Sequence, residues 1–160
     1  GAVPERITHN VSKANNILLD DITGEGICVI DLDTVMPGSL LYDFGDMVRT
    51  GTGTALEDEP DASRMTMQLS RFRALVQGFA GETADIMTAG ERELLPEAGR
   101  IITTIIGLRF MTDYLQGDSY FRIHRPDHNR DRLRTQIALV ESMDRQMDEI
   151  RGACAEALGW

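Results

Sequence analysis

The sequence predicts a mainly α fold with one small β-hairpin, an α+β chain organised as a single domain over residues 1–160. Three observations predict it. Two short apolar runs, Ile17 to Leu19 and Ile27 to Leu32, flank a polar stretch that contains two glycines. Beyond Asp61, apolar side chains recur at three- and four-residue steps, the period of an amphipathic helix. A hydrophobic fraction of 42% in 160 residues is enough for one good core.

The hairpin comes first. Its loop, Asp20-Asp21-Ile22-Thr23-Gly24-Glu25-Gly26, is longer than the tight two-residue type. Val35-Met36-Pro37-Gly38 breaks the second strand. Leu40 to Thr50 then reads as a short helix or turn that opens near Ser39 and carries Asp43 and Asp46 on its first turns. Thr50-Gly51-Thr52-Gly53-Thr54 and Glu57-Asp58-Glu59-Pro60-Asp61 read as a flexible, acidic connection. Met65, Leu69, Phe72, Val76 and Phe79 mark a helix with Asp61 or Ser63 as N-cap. Leu94 to Leu115 is strongly apolar. Its Ile101, Ile102, Ile105, Ile106 and Leu108 cover more than one face, which predicts a central helix ended by Gly117. Asp127 or Asn129 opens a last long helix with the stripe Leu133, Ile137, Val140, Met143 or Asp144, Met147 and Ile150. An isolated hairpin is marginal in water, so it is expected to lie on the helices.

The charge balance is acidic, with 16 Lys+Arg against 26 Asp+Glu and a formal net charge of -10. Such a field repels a phosphate backbone and argues against nucleic acid or an anionic membrane as partner. No apolar run approaches the ~20 residues that span a bilayer. Cys28 and Cys154 lie far apart without metal-ligand spacing and read as reduced thiols of a cytoplasmic protein, with a bridge between them as the alternative.

The chemistry is concentrated near the start. His9-Asn10-Val11-Ser12-Lys13-Ala14-Asn15-Asn16 has the frame His-x-Asp-x-Lys-x-x-Asn of a kinase catalytic loop, followed by a hairpin whose second strand ends at Asp31. Phosphoryl transfer needs metal ions on the nucleotide phosphates, a cation on the transferring group, and a carboxylate that orients the acceptor hydroxyl. In this frame Lys13 supplies the cation, and Asn16 and Asp31 hold magnesium. The carboxylate position is occupied by Val11. Asp43-Phe44-Gly45 spells another familiar metal motif but follows a helix-like segment at too long a spacing. Asp43 and Asp46 are therefore read as capping the turn and bonding the loop backbone.

These residues carry a resemblance. Thr8 to Asp20, Val29 to Gly38 and Leu41-Tyr42-Asp43-Phe44-Gly45-Asp46 resemble the aminoglycoside phosphotransferase/choline kinase superfamily, nearest to its N-acetylhexosamine 1-kinase branch. The likeness continues through Gly107 to Leu115, Gly117-Asp118-Ser119-Tyr120-Phe121 and His128-Asn129. It implies the C-terminal, catalytic and substrate-binding lobe of a protein-kinase-like fold. It also implies ATP- and Mg-dependent phosphorylation of a hydroxyl on an N-acetylhexosamine-like sugar. Arg109 and Tyr120 match positions that contact the sugar. Arginine can donate to several oxygens at once, and tyrosine offers a face and a hydroxyl.

Two departures from that pattern are expected to matter. The loop frame starts within ten residues of Gly1, so the N-terminal ATP-binding lobe is expected to be absent, with nucleotide binding poor. Either that lobe or another copy of the chain would cover the exposed interface. Val11 cannot take a proton, and general-base assistance is typically worth ~10²–10⁴-fold. The alternative function is a non-catalytic or truncated kinase-like module that binds a sugar or a partner. Other features are set aside. His124 and His128 are four apart but separated by the helix breaker Pro126, with no third ligand. Thr50 to Thr54 lacks the context of a phosphate loop and reads as a rim near the sugar site.

Overall fold

The computed structural model describes residues 3–159; Gly1, on which the expectation of a missing lobe rests, lies outside them. Two small antiparallel ribbons precede five α-helices. Strand β1 (Arg6–Thr8) pairs with β4 (Met36–Gly38), Ile7 opposite Pro37, and β2 (Ile17–Leu19) pairs with β3 (Gly26–Val29). The helices are α1 (Leu40–Gly51), α2 (Leu69–Thr83), α3 (Ala89–Leu115), α4 (His128–Arg145) and α5 (Met147–Leu158). The fold is thus mainly α with small antiparallel sheets, as the periodicities predict.

The core sits among the helices. Phe44 and Val48 of α1, Phe72 and Val76 of α2, Leu95 of α3, Leu139 and Met143 of α4, and Ile150 and Cys154 of α5 are buried together. The Phe44 and Phe72 rings meet edge to face, 5.9 Å between centroids. Burial pushes the Cys154 thiol up to about 12; both cysteines are free. No helix among the described residues is long and apolar enough to cross a membrane.

Several expectations are corrected. Residues 35–38 do break away from the hairpin, but they form β4 and close a second ribbon. That ribbon is pinned to the helices: Arg6 of β1 donates to both carboxylate oxygens of Glu91 at 2.7 and 2.9 Å. Glu91 also completes a capping box with Thr88, which starts α3 at Ala89 rather than Leu94. Helix α3 is central, lying between α1 and α4. Its buried face is nonetheless Leu95, Ala98, Ile102 and Phe110, whereas Ile101, Ile105 and Leu108 are exposed. Asp61 caps only a short 3-10 turn, and α2 begins at Leu69. The last long helix is two, broken at Gln146, and Ile137 is exposed while Thr135, Gln136, Leu139 and Ser142 are buried.

The connection after α1 is tied down rather than loose. Arg49 pairs with Glu57, the Thr54 hydroxyl accepts the Thr66 N–H at 2.8 Å, and His128 Nε2 lies 2.9 Å from Asp58. The β2–β3 hairpin does not lie on the helices. Every residue from Ile17 to Leu19 and from Asp21 to Asp33 is exposed, with Ile22 at 95% and Ile27 at 64%.

Candidate functional site

The loop between β1 and β2 is held from below by α1. Ser39 caps that helix, and Asp43 on its first turn projects both oxygens at the loop. Asp43 Oδ2 accepts the His9 N–H at 2.9 Å; Oδ1 accepts the Asn10 N–H and the Ser12 hydroxyl, each at 2.7 Å. The supporting role read for Asp43 is therefore what the geometry provides. Asp46 differs. Its carboxylate takes Arg49 Nε at 2.8 Å, and loop contact comes instead from Thr50, whose hydroxyl accepts the Ala14 N–H at 3.2 Å.

Local residues complete the loop. Asn10 adopts a left-handed conformation (φ 65°), which asparagine tolerates better than most residues. Its side-chain amide donates to the Thr34 carbonyl at 3.1 Å. The Thr34 hydroxyl donates to the His9 carbonyl at 2.7 Å. His9 Nε2 lies 3.0 Å from the Ile30 carbonyl, which requires the proton on Nε2.

Asn16 and Asp31 come together as the spacing predicts. Asn16 Nδ2 donates to Asp31 Oδ2 and to the Val11 carbonyl, each at 2.9 Å. The Ile30 N–H donates to the Asn16 carbonyl at 2.9 Å, which fixes the strand end beside the loop. The second strand does not run to Asp31 as expected but ends at Val29; Asp31 follows two residues later and turns the chain in a left-handed conformation (φ 66°) at the hairpin's base. Asn16 is buried, Asp31 exposed. Lys13 is half-buried, and its ammonium makes no hydrogen bond or ion pair among the described residues.

Beside the loop opens a cleft of about 820 Å³. Val11 and Lys13 line one wall; Ile102, Ile105, Ile106 and Arg109 of α3 line another, which accounts for the exposure of Ile105 but not of Ile101, which lies outside the lining. Thr50 and Gly53, and beyond that segment Leu56 and Asp58, also line the cleft. Asn16 and Asp31 are not part of this lining.

The two expected sugar residues meet at the cleft. Arg109 lines it and donates through Nη2 to the Tyr120 hydroxyl at 3.2 Å. Its guanidinium lies 5.5 Å from the Tyr120 ring centre and 5.4 Å from that of Phe121. Tyr120 itself is 72% exposed and outside the lining.

One organising residue has no role in the sequence reading. Asp113, near the end of α3 and 3% exposed, accepts the N–H groups of Ser119, Tyr120 and Phe121 at 2.9, 2.7 and 2.9 Å and the Asn129 amide at 2.8 Å. Burial works against its charge, but these four donors outweigh burial and hold the carboxyl below its usual range. The readable sign is an acidic residue one turn before a glycine-led loop. The histidine pair is structural: His128 Nδ1 accepts the His124 N–H at 3.1 Å while Nε2 holds Asp58. Burial opposes the charge on Asp58, but the His128 bond and nearby cations outweigh it and lower that carboxyl. Among the described residues no group of three or more His, Cys, Asp or Glu side chains could hold a metal.

Residues 2–79, which include both ribbons, the loop, α1 and most of α2, match a family model described as APH, phosphotransferase enzyme family. That match, falling on the segment that builds the Lys13, Asn16 and Asp31 site, supports the aminoglycoside phosphotransferase/choline kinase superfamily and a phosphotransferase, kinase-like role.

Proposed function

We propose that residues 1–160 form the catalytic and acceptor-binding lobe of a small-molecule kinase, a phosphotransferase that uses ATP and magnesium to phosphorylate an N-acetylhexosamine-like sugar. The observation that carries this reading is the Asn16–Asp31 contact of 2.9 Å next to a loop whose unpaired Lys13 faces the same cleft as Arg109. The donor set fits magnesium. It offers one carboxylate and the Asn16 amide oxygen, which no hydrogen bond engages, and magnesium keeps several waters and takes few protein ligands. When bound, the ion would neutralise charge on the nucleotide phosphates.

The chain's own residues divide the remaining work. Lys13 would place a cation at the transferring group, and Asp43 would hold the loop still through three hydrogen bonds. Arg109, braced against Tyr120, would orient the sugar. Val11 lines the cleft where a carboxylate would meet the acceptor hydroxyl, so no general base stands at that point. That substitution favours the second reading, a kinase-like module that binds its sugar without turnover. The uncovered apolar side chains of the hairpin support a partner over it, either an ATP-binding lobe or a second copy. The exposed free thiol of Cys28 suits a reducing, cytoplasmic compartment.

Titration of Mn²⁺ with ATP, followed by paramagnetic broadening of amide resonances, tests the metal assignment. Broadening confined to residues around 15–17 and 30–32, and lost in Asp31→Asn, is the expected outcome. Broadening that ignores Asp31→Asn would refute it.

A further inference from the structure

At the far wall of the cleft α4 presents Arg132 and Gln136, one turn apart on the same face. Gln136 is 3% exposed, yet its Oε1 is buried without a hydrogen-bond partner. Its Nε2 has only a long contact of 3.4 Å with the Thr135 hydroxyl. Turning the amide over would orphan the NH2 group instead, because the single proton of the Thr135 hydroxyl is already shared by the Glu57 and Arg132 carbonyls. Arg132 Nε is likewise buried and unpaired, although its guanidinium is fixed by Asn129 Oδ1 at 2.9 Å and stacks 5.4 Å from the Phe110 ring centre.

Buried polar atoms are nearly always paired, and no protein group pairs these two, so both are free to bond a ligand group that enters the cleft. The side chain of Gln136 is also held in place. A Cβ on Gly107 would come within 3.2 Å of Gln136 Cβ, so α3 and α4 approach closely at this level. One orphan accepts and the other donates. Their complement is a group that does both.

We propose that Gln136 and Arg132 form a specificity subsite for the acceptor, in which Gln136 Oε1 accepts from and Arg132 Nε donates to a secondary amide or hydroxyl of the sugar. This rests on the sugar-kinase reading above. There the acetamido group of an N-acetylhexosamine is the matching chemistry, and a site built to hydrogen-bond a group discriminates against analogues that lack it.

Isothermal titration of the chain with N-acetylglucosamine, glucose and 2-deoxyglucose tests the proposal on wild type, Gln136→Leu and Gln136→Met. N-acetylglucosamine affinity should fall about tenfold in both variants, while 2-deoxyglucose affinity stays within about twofold. A parallel fall for glucose also supports the subsite and names the 2-hydroxyl as an equivalent group. Both variants should melt no lower than wild type, since no short hydrogen bond is lost. Equal N-acetylglucosamine affinity in all three proteins overturns the subsite and leaves the sugar reading standing. Lower melting with uniform weakening for every sugar assigns Gln136 to the core and overturns it too. Absence of binding to wild type by all three sugars overturns the sugar reading and the subsite together.

Discussion

Replacing Asp43 separates a loop clamp from a metal ligand. Its carboxylate accepts two backbone N–H groups and one hydroxyl at 2.9, 2.7 and 2.7 Å. Hydrogen bonds to a charged group contribute roughly 1.5–3 kcal/mol each, but they are not additive, and water can reach a half-buried loop. Asp43→Ala should therefore cost about 3 kcal/mol. Asp43→Asn can keep its oxygen at the Oδ1 position, where two of the three donors converge, and should cost only ~1–2 kcal/mol. Urea unfolding gives the global figure, and amide hydrogen exchange at His9 and Asn10 reads the loop directly. Both amides should exchange faster in Asp43→Ala. If their protection and the stability stay unchanged while Mn²⁺ binding disappears, Asp43 is a ligand and the clamp is wrong.

Two further perturbations probe how the site is mounted on the helices. Arg6, together with the Thr88 N–H, holds the Glu91 carboxyl down at about 2 against an ordinary value of 4.5. A depressed carboxylate stabilises the fold above its unfolded pKa, so this contribution is complete above about pH 4.5 and is lost as pH falls toward 2, reaching ~3 kcal/mol at most. The stability gap between wild type and Glu91→Gln should narrow over that window; a gap constant from pH 7 to 2 would contradict the pairing. Gly45 lets α1 meet α3, since a Cβ there would lie 2.5 Å from the Ala98 carbonyl oxygen. Gly45→Ala should cost about 3 kcal/mol, and an unshifted melting temperature would show that the contact is looser.

What was legible in the chain was local. The Ile17–Leu19 and Ile27 runs announce their hairpin because β-branched residues and a glycine turn act over a few positions. Ser39 announces α1 in the same way. The β1–β4 ribbon left no such trace: its strands have three residues each, one contains Pro37, and their pairing is long-range. The break at Gln146 carries no glycine or proline; the amide there bonds the Met67 carbonyl at 3.1 Å, a tertiary event. The Thr88–Glu91 capping box was readable and was missed because the first turns of α3 lack an apolar period. At the site, Asn16 and Asp31 could be read from the frame. The Asp113 network and the Gln136 wall could not, because each draws on segments that only folding brings together.

The central claim is that the loop is a phosphotransfer loop lacking one carboxylate. The most direct measurement is the rate of ATP-dependent phosphorylation of N-acetylglucosamine and N-acetylgalactosamine by the complete chain, ATP-binding lobe included, with Val11 and with Val11→Asp, equal folding being checked by circular dichroism. Restoring the base should raise the rate by about 10²–10⁴-fold. Equal, negligible rates in the two folded proteins would contradict the claim.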